Sequence, residues 1–414
     1  MSLIQTINSR LKNDSRLYWW IRECYVSLYI RLKELSDTPT PTKRKRVLFY
    51  HINSLGHAGT EKFIQILAKY LDKNTHEVFY LYPENKKGEP GYKERYEYVE
   101  KSGVKMLPFL YEEVSNTPPY FVSKMNPNLQ ALISGLGIDV FVTAGAGHAD
   151  FPFSGIKNVP IILLNIFGQP NLQKNIAFHL CISKEVAKKI ELIVPQNKIK
   201  VFPVPSEGPI PEAISLGASL REKFNIDKNH TVFGRIGRSD NGIHDTIGIE
   251  AFKIALKQRN DIHYLIMSAP SDLIEQVTKE NIPNVHFVQP SSEESDIWAF
   301  HAAIDVLAHF RKDGESFGLN IVESMLSGKP IVTHKSHIWN AHLEYLDESF
   351  SRVANKDDVL TYAEYLLEFA DLKDKGLLAD MGLKAQIKSE KLFHISNLIK
   401  EFENLIKQAT SKNA

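Results

Sequence analysis

The chain has 414 residues, 43% hydrophobic and 24% charged, with a formal net charge of +1; it is too long for one ordinary core and suits two globular domains. Two cysteines, Cys24 and Cys181, exclude a disulfide framework and a cysteine-held metal cluster, and fit a reducing cytoplasm. Residues 1–46 hold ten Lys/Arg against four Asp/Glu, so the remainder is net −5, which argues against nucleic acid as the main partner.

Residues 3–35 repeat apolar side chains at helical spacing, Leu17, Trp20, Ile21, Cys24, Leu28 and Leu32 among them, with Arg16, Arg22, Arg31 and Lys33 interspersed. Two readings stay open: a brace packed on the protein, or an amphipathic helix on an anionic membrane surface with Trp19, Trp20, Tyr25 and Tyr29 at the interface. Arg22 and Glu23 break the apolar run well before the ~20 residues that a spanning helix needs. Residues 37–42 (DTPTPT) read as a linker, and the basic cluster at 43–46 would add attraction to acidic lipids.

Residues 47–50 (VLFY) predict a strand, 51–59 a glycine-containing turn, and 60–71 a helix with Phe63, Ile64, Leu67, Ala68 and Leu71 on one face. This order opens a Rossmann-like domain. Gly56 and Gly59 do not make G-x-G-x-x-G, so the nicotinamide fingerprint is absent. Strands are predicted at 78–82 and 104–107, a polar turn-rich excursion at 84–92, and a loop over the cleft at 111–127, which holds three prolines. Residues 139–143 (DVFVT) form a strand running toward His148; 160–165 and 179–183 are buried strands, 184–193 a helix and 200–203 a strand. Four prolines between 203 and 211 mark the crossing into a second domain.

That domain opens with a strand at 231–236, whose end places Arg235 and Arg238 where they would neutralise a diphosphate; surface ion pairing is the alternative. Alternation continues through 247–256, 264–267, 285–288 and 297–303. His334 and His337 have no third ligand suitably spaced, so no metal site is expected. Helices are predicted at 357–369 and 394–406, the last crossing back to the first domain.

The most informative stretch is 304–333. IDVLAHF reads as a strand, 319–326 as a helix, Gly328-Lys329-Pro330 as its stop, and 331–333 as the next strand. The turn between lies at the carboxyl end of a parallel strand, where open α/β sheets bind ligands. The first N–H groups of the helix have no intrahelical acceptor and suit a diphosphate, and Gly318 permits close backbone approach. Eight helical steps of ~100° would leave Glu315 and Glu323 ~80° out of line. With Glu315 in the turn, both can face one ligand, and carboxylates accept the paired O–H donors of hexose and ribose. The plainer alternative is a helix-dipole partner and a solvated helix residue.

Residues 315–323 (ESFGLNIVE) resemble the E-x7-E signature of retaining GT-B glycosyltransferases, in particular glycosyltransferase family 4 (group 1). The resemblance implies an α/β fold of two facing Rossmann-like domains with parallel sheets. It is divided here as a helical extension and linker at 1–42, an acceptor domain at 43–205, a nucleotide-sugar donor domain at 206–390, and a helix crossing back at 391–414. It also implies that Glu315 contacts the donor sugar, that the backbone from Ser316 through Phe317 and Gly318 to Leu319 contacts the pyrophosphate, and that Glu323 contacts the ribose. His148 would face the donor sugar, Gly59 would belong to a phosphate- or acceptor-side loop, and Arg235 or Arg238 would stabilise the leaving diphosphate. The implied activity is transfer of a hexose-type sugar from a nucleotide-diphosphate donor to a glycan or lipid-linked acceptor, with retention of configuration. Beyond the donor substrate no cofactor is expected. Polysaccharide or lipopolysaccharide biosynthesis at the cytoplasmic face of a membrane would be its setting. Two departures, a single glycine in Ala58-Gly59-Thr60-Glu61 and no cation at Asp240 or Asn241, keep open a catalytically reduced nucleotide-sugar-binding or scaffold protein. A hexose epimerase or phosphorylase on the same fold is a third reading.

Overall fold

The computed structural model describes residues 44–51, 54–84, 91–109, 111–113, 123–125, 129–145, 156–291 and 293–411. The expected N-terminal helix and His148 lie outside the described residues.

The apolar runs of the first half form β1 (Lys45–Tyr50), β2 (His76–Pro83), β3 (Lys105–Phe109), the short pair β4 (Tyr111–Glu113) and β5 (Ser123–Met125), β6 (Val140–Gly145), β7 (Ile161–Asn165), β8 (Ile176–Cys181) and β9 (Ile199–Val201). Seven of them make a wholly parallel sheet in the order β3-β2-β1-β6-β7-β8-β9. The second half supplies β10 (Thr231–Ile236), β11 (Ile262–Met267), β12 (Val285–Val288), β13 (Val306–Ala308), the two-residue β14 (Gly314–Glu315), β15 (Ile331–His334), the two-residue β16 (Trp339–Asn340) and β17 (Ser351–Ala354). Six of these form a second parallel sheet, β12-β11-β10-β13-β15-β17. β7 (IILLN) and β10 (TVFGRI) are buried at every position, because a parallel sheet is covered on both faces and its central strands carry no polar side.

The covering helices, in chain order, are α1 (Gly59–Tyr70), α2 (Tyr92–Glu100), α3 (Leu129–Gly135), α4 (Lys184–Lys188), α5 (Ala213–Lys223), α6 (Ile247–Leu256), α7 (Ser271–Lys279), α8 (Glu294–Ala303), α9 (Leu319–Leu326), α10 (Val359–Asp374), α11 (Leu378–Phe393) and α12 (Ile395–Ser411). Strand order reverses between β1 and β6 and again between β10 and β13. Such reversals open the crevices in which α/β sheets hold ligands. The helices that follow the reversal strands, α1 and α9, meet across the domain boundary: a Cβ built on Gly59 would lie 3.6 Å from Leu319 Cδ2.

The chain crosses between domains twice, and the crossings are bonded together: Ser206 N donates to Phe393 O and Ile395 N to Ser206 O, each at 2.9 Å. Glu207 anchors the first crossing to the first domain, accepting from Lys69 Nζ (2.6 Å), Tyr98 Oη (2.6 Å) and Tyr70 Oη (2.8 Å). α12 then returns to the first sheet, with the Phe402 ring 6.3 Å from Phe49 and 5.9 Å from Phe202.

Several local expectations change. The stretch read as a loop at 111–127 contains β4 and β5, paired antiparallel with Tyr111 opposite Met125. The helix expected at 184–193 stops at Lys188; Ser183 caps its start, and Leu192 beyond its end is 95% exposed. α2 follows the turn-rich excursion and was hidden by its composition, YKERYEYVE, of which only Tyr92, Arg95 and Val99 are buried. α5 and α11 were likewise unannounced. α5 lies so close to α8 that a Cβ on Gly217 would come within 2.7 Å of Ala302 Cβ.

Candidate functional site

The turn between β13 and α9 is held from three sides. Gly314 sits at φ +69° with Trp339 O only 1.8 Å from where a Cβ would be. That closeness lets β14 pair in parallel with β16, and Trp339 N donates to Asp313 O at 3.0 Å. Gly318, at φ +89°, is the N-cap of α9, a left-handed position that glycine takes without a Cβ penalty. Tyr345 Oη donates to Phe317 O at 2.6 Å, and Asn320 Nδ2 donates to Ile236 O at 2.8 Å, tying the turn to the end of β10. Phe317 is buried between Tyr345 and Phe393, with ring centroids 5.9 and 5.6 Å away. Ser316 is half-buried beside it and Leu319 packs partly against the core.

Glu315 is enclosed by donors. His309 Nε2 donates to its Oε1 at 3.0 Å and Arg311 Nη1 to its Oε2 at 3.2 Å. Burial alone would raise the carboxyl, but His309, Arg311 and Arg235 outweigh it and hold Glu315 down at about 2. His309 is pushed down to about 3, by burial and by Arg235 against the pull of Glu315, and is therefore neutral at physiological pH. Facing an acceptor-only carboxylate, it carries its proton on Nε2, leaving Nδ1 to face Thr333 Oγ1 at 3.4 Å. His342, buried beside it with ring centroids 6.0 Å apart, is lowered by burial to about 4. The result is an ionised carboxylate oriented by a neutral imidazole and a guanidinium.

Glu323 lies in α9 and is only 7% exposed. His301 Nε2, from α8, is 3.6 Å from its Oε2, and Lys62 Nζ, from α1 of the first domain, is 3.7 Å from its Oε1. Lys62 also meets Glu294 at 3.0 Å, as does Arg95 Nη1 at 3.2 Å. Burial would raise the Glu323 carboxyl, yet Lys62 and His301 keep it below its ordinary value; burial would lower Lys62, yet Glu323 and Glu294 raise it. Lys62, Arg95, Glu294 and Glu323 border an interdomain cavity of about 340 Å³ that also touches Trp298 and Leu319.

The two arginines part company. Arg235 is 1% exposed, with Nε donating to Phe310 O at 2.9 Å and Nη1 to Ile236 O. Burial brings it down to about 10, so it stays charged while bonded to these two carbonyls. Arg238 has a side chain 66% exposed and pairs with Asp240 at 3.2 Å, the surface arrangement weighed as the alternative. Gly59 opens α1 next to Leu319. Among the described residues no group of His, Cys, Asp and Glu is placed to hold a metal; His334 is buried and His337 exposed.

Sequence reasoning missed Lys62, Glu294, His301, His309, Arg311 and Tyr345. His309 and Arg311 lay within reach, since both stand within six residues of Glu315. The others come from remote segments and meet the two glutamates only through the fold.

Residues 218–374 match the family model for glycosyl transferases group 1. No curated protein matches the chain. Among solved structures, a glycosyltransferase from Rickettsia africae covers 90% of this chain and 100% of its own, with a TM-score of 0.69 and 14% identity. The HepE protein of Anabaena, solved with UDP and glucose, gives 0.65 and 16% over 88% of this chain and 100% of its own. A sucrose-phosphate synthase from Thermosynechococcus elongatus gives 0.66 and 13% over 89% and 100%. At these identities the likeness establishes the fold: two facing parallel α/β domains of the GT-B type.

Proposed function

We propose, from the premise that residues 218–374 carry the group 1 glycosyl transferase module, that this protein transfers a hexose-type sugar from a nucleotide-diphosphate donor to a glycan or lipid-linked acceptor with retention of configuration. The carrying observation is the pair of carboxylates, Glu315 largely enclosed in the turn and Glu323 buried in α9, placed around a left-handed Gly318 at a strand-order reversal that faces the first domain. In this reading Glu315 accepts from sugar hydroxyls, the amides that open α9 hold the pyrophosphate, and Glu323 accepts from the ribose. The acceptor hydroxyl oxygen forms the new bond to the anomeric carbon as the bond to the departing phosphate breaks. The hydroxyl proton passes to a phosphate oxygen, so the chain need supply no covalent nucleophile. Arg235 contributes charge by helping to hold Glu315 ionised and fixes the carbonyls of Phe310 and Ile236, at the ends of β13 and β10. The donor is a substrate, and no separate cofactor enters this reading.

The test is a thermal-shift screen of UDP, GDP and ADP and their sugar conjugates on the intact chain. Binding to the folded state alone raises stability by RT ln(1 + [L]/Kd), on the order of 2.7 kcal/mol at a hundredfold excess over Kd. At least one nucleotide sugar should raise the melting temperature. Glu323→Gln, which keeps the volume and removes the charge, should abolish most of the rise. No shift with any nucleotide would overturn the proposal.

A further inference from the structure

We propose that Lys62 is a positioning residue for the ribose end of the donor site, holding Glu323 from the opposite domain so that reading of the ribose hydroxyls depends on a side chain outside the donor domain. This inference rests on the reading of Glu323 as the ribose carboxylate.

Glu323 is buried and ionised, but its side chain makes no hydrogen bond shorter than its 3.6 and 3.7 Å contacts with His301 and Lys62 among the described residues. His301, itself fully buried, leaves Nε2 without a hydrogen-bond partner while its Nδ1 is 2.8 Å from Ser324 Oγ. The charge of Glu323 is thus balanced while its lone pairs remain available. A carboxylate of that kind suits a pair of neighbouring O–H donors.

Lys62 is the first-domain cation in contact with it. Arg95 is committed elsewhere: Nε donates to Gln65 Oε1 at 2.6 Å, Nη1 pairs with Glu294, and the guanidinium lies 4.1 Å from the Tyr98 ring centroid. Glu294 meets both cations through the same Oε1. Removing Lys62 would leave the buried Glu323 without its first-domain cation, since Arg95 is bonded to the half-buried Glu294 and not to Glu323. Burying a carboxylate without a partner is costly, so Glu323 would take up a proton or turn away. Either change removes an acceptor from the ribose position.

The experiment measures affinities of the intact chain for UDP, GDP and ADP and for their 2′-deoxy forms by calorimetry, using the tightest pair. Lys62→Met should weaken the ribonucleotide about tenfold or more, the size expected when a hydrogen bond to a charged group is lost. It should also bring the ratio of ribo to deoxy affinity toward one. Lys62→Arg should restore most of that ratio. In the Lys62→Met/Glu323→Gln double variant the losses should be clearly less than the product of the single losses, because both act on one interaction. Should Lys62→Met fail to fold, Lys62→Gln keeps a donor toward Glu294, removes the charge, and carries the same expectation. If Glu323→Gln loses the ribose preference while the Lys62 variants keep wild-type affinity and ratio, this inference is wrong and the donor reading stands. If no nucleotide binds, or Glu323→Gln binds like wild type, the donor reading falls and takes this inference with it.

Discussion

Acidification should destabilise the protein well above the pH at which its carboxylates protonate, because buried imidazoles around Glu315 are held neutral. His309 is lowered to about 3 and His342 to about 4, both by burial first, and both are 1% exposed. In the unfolded chain each would titrate near its ordinary value of about 6.5. Between that value and the folded one, unfolding takes up a proton, so the stability from a neutral imidazole is present above pH ~6.5 and is lost as pH falls. Each such group costs about 1.4 kcal/mol per pH unit across the window. At pH 5 that is on the order of 2 kcal/mol for each and 4 for the pair, a large part of a typical 5–15 kcal/mol of stability. His244, His263 and His334 shift in the same direction and add to the slope. Glu315, lowered to about 2, contributes stability lost only below about pH 4.5, while Glu94, raised to about 7 by burial and then by Glu293, takes up a proton on folding between pH 7 and 5 and offsets part of the histidines' loss. Urea unfolding of the intact chain at half-unit pH steps should show the midpoint falling steadily below 6.5. His309→Gln, which keeps a donor toward Glu315 and cannot titrate, should flatten the slope by one imidazole's share. A midpoint constant from pH 7 to 5 would refute the assignment of neutral buried histidines.

Two further outcomes are expected. Gly314→Ala places a Cβ at 1.8 Å from Trp339 O, at a φ of +69° that already costs a side chain ~1–2 kcal/mol; melting should fall by several degrees and nucleotide binding should weaken, whereas wild-type behaviour in both would show that the β14–β16 pairing is dispensable. Arg235→Lys loses bonds that the guanidinium makes to the carbonyls of Phe310 and Ile236 and should lower both stability and turnover, while Arg238→Ala should stay within about ±0.5 kcal/mol in stability. A turnover loss confined to Arg238→Ala would instead make the exposed arginine the phosphate partner.

The amino-acid order by itself determined the features that neighbours along the chain decide. Continuous apolar runs such as VLFY, DVFVT and IILLN mark strands covered on both faces, and their alternation with helical spacing dictates parallel sheets. The turn from Glu315 to Glu323 was legible for the same reason, since the strand, Gly318 and the helix stop occur within one short segment. Tertiary structure decided what depends on remote partners. Whether Arg235 or Arg238 faces a ligand was undecidable from a strand end, and the fold buries one in backbone carbonyls and leaves the other beside Asp240. Lys62 carries no sign, in its helix, of the carboxylates it meets 232 and 261 positions later, and His301 and Tyr345 likewise gain their roles only from packing. A buried charge is stable only where an opposite charge or donor has been brought to it, and that meeting is a property of the folded chain.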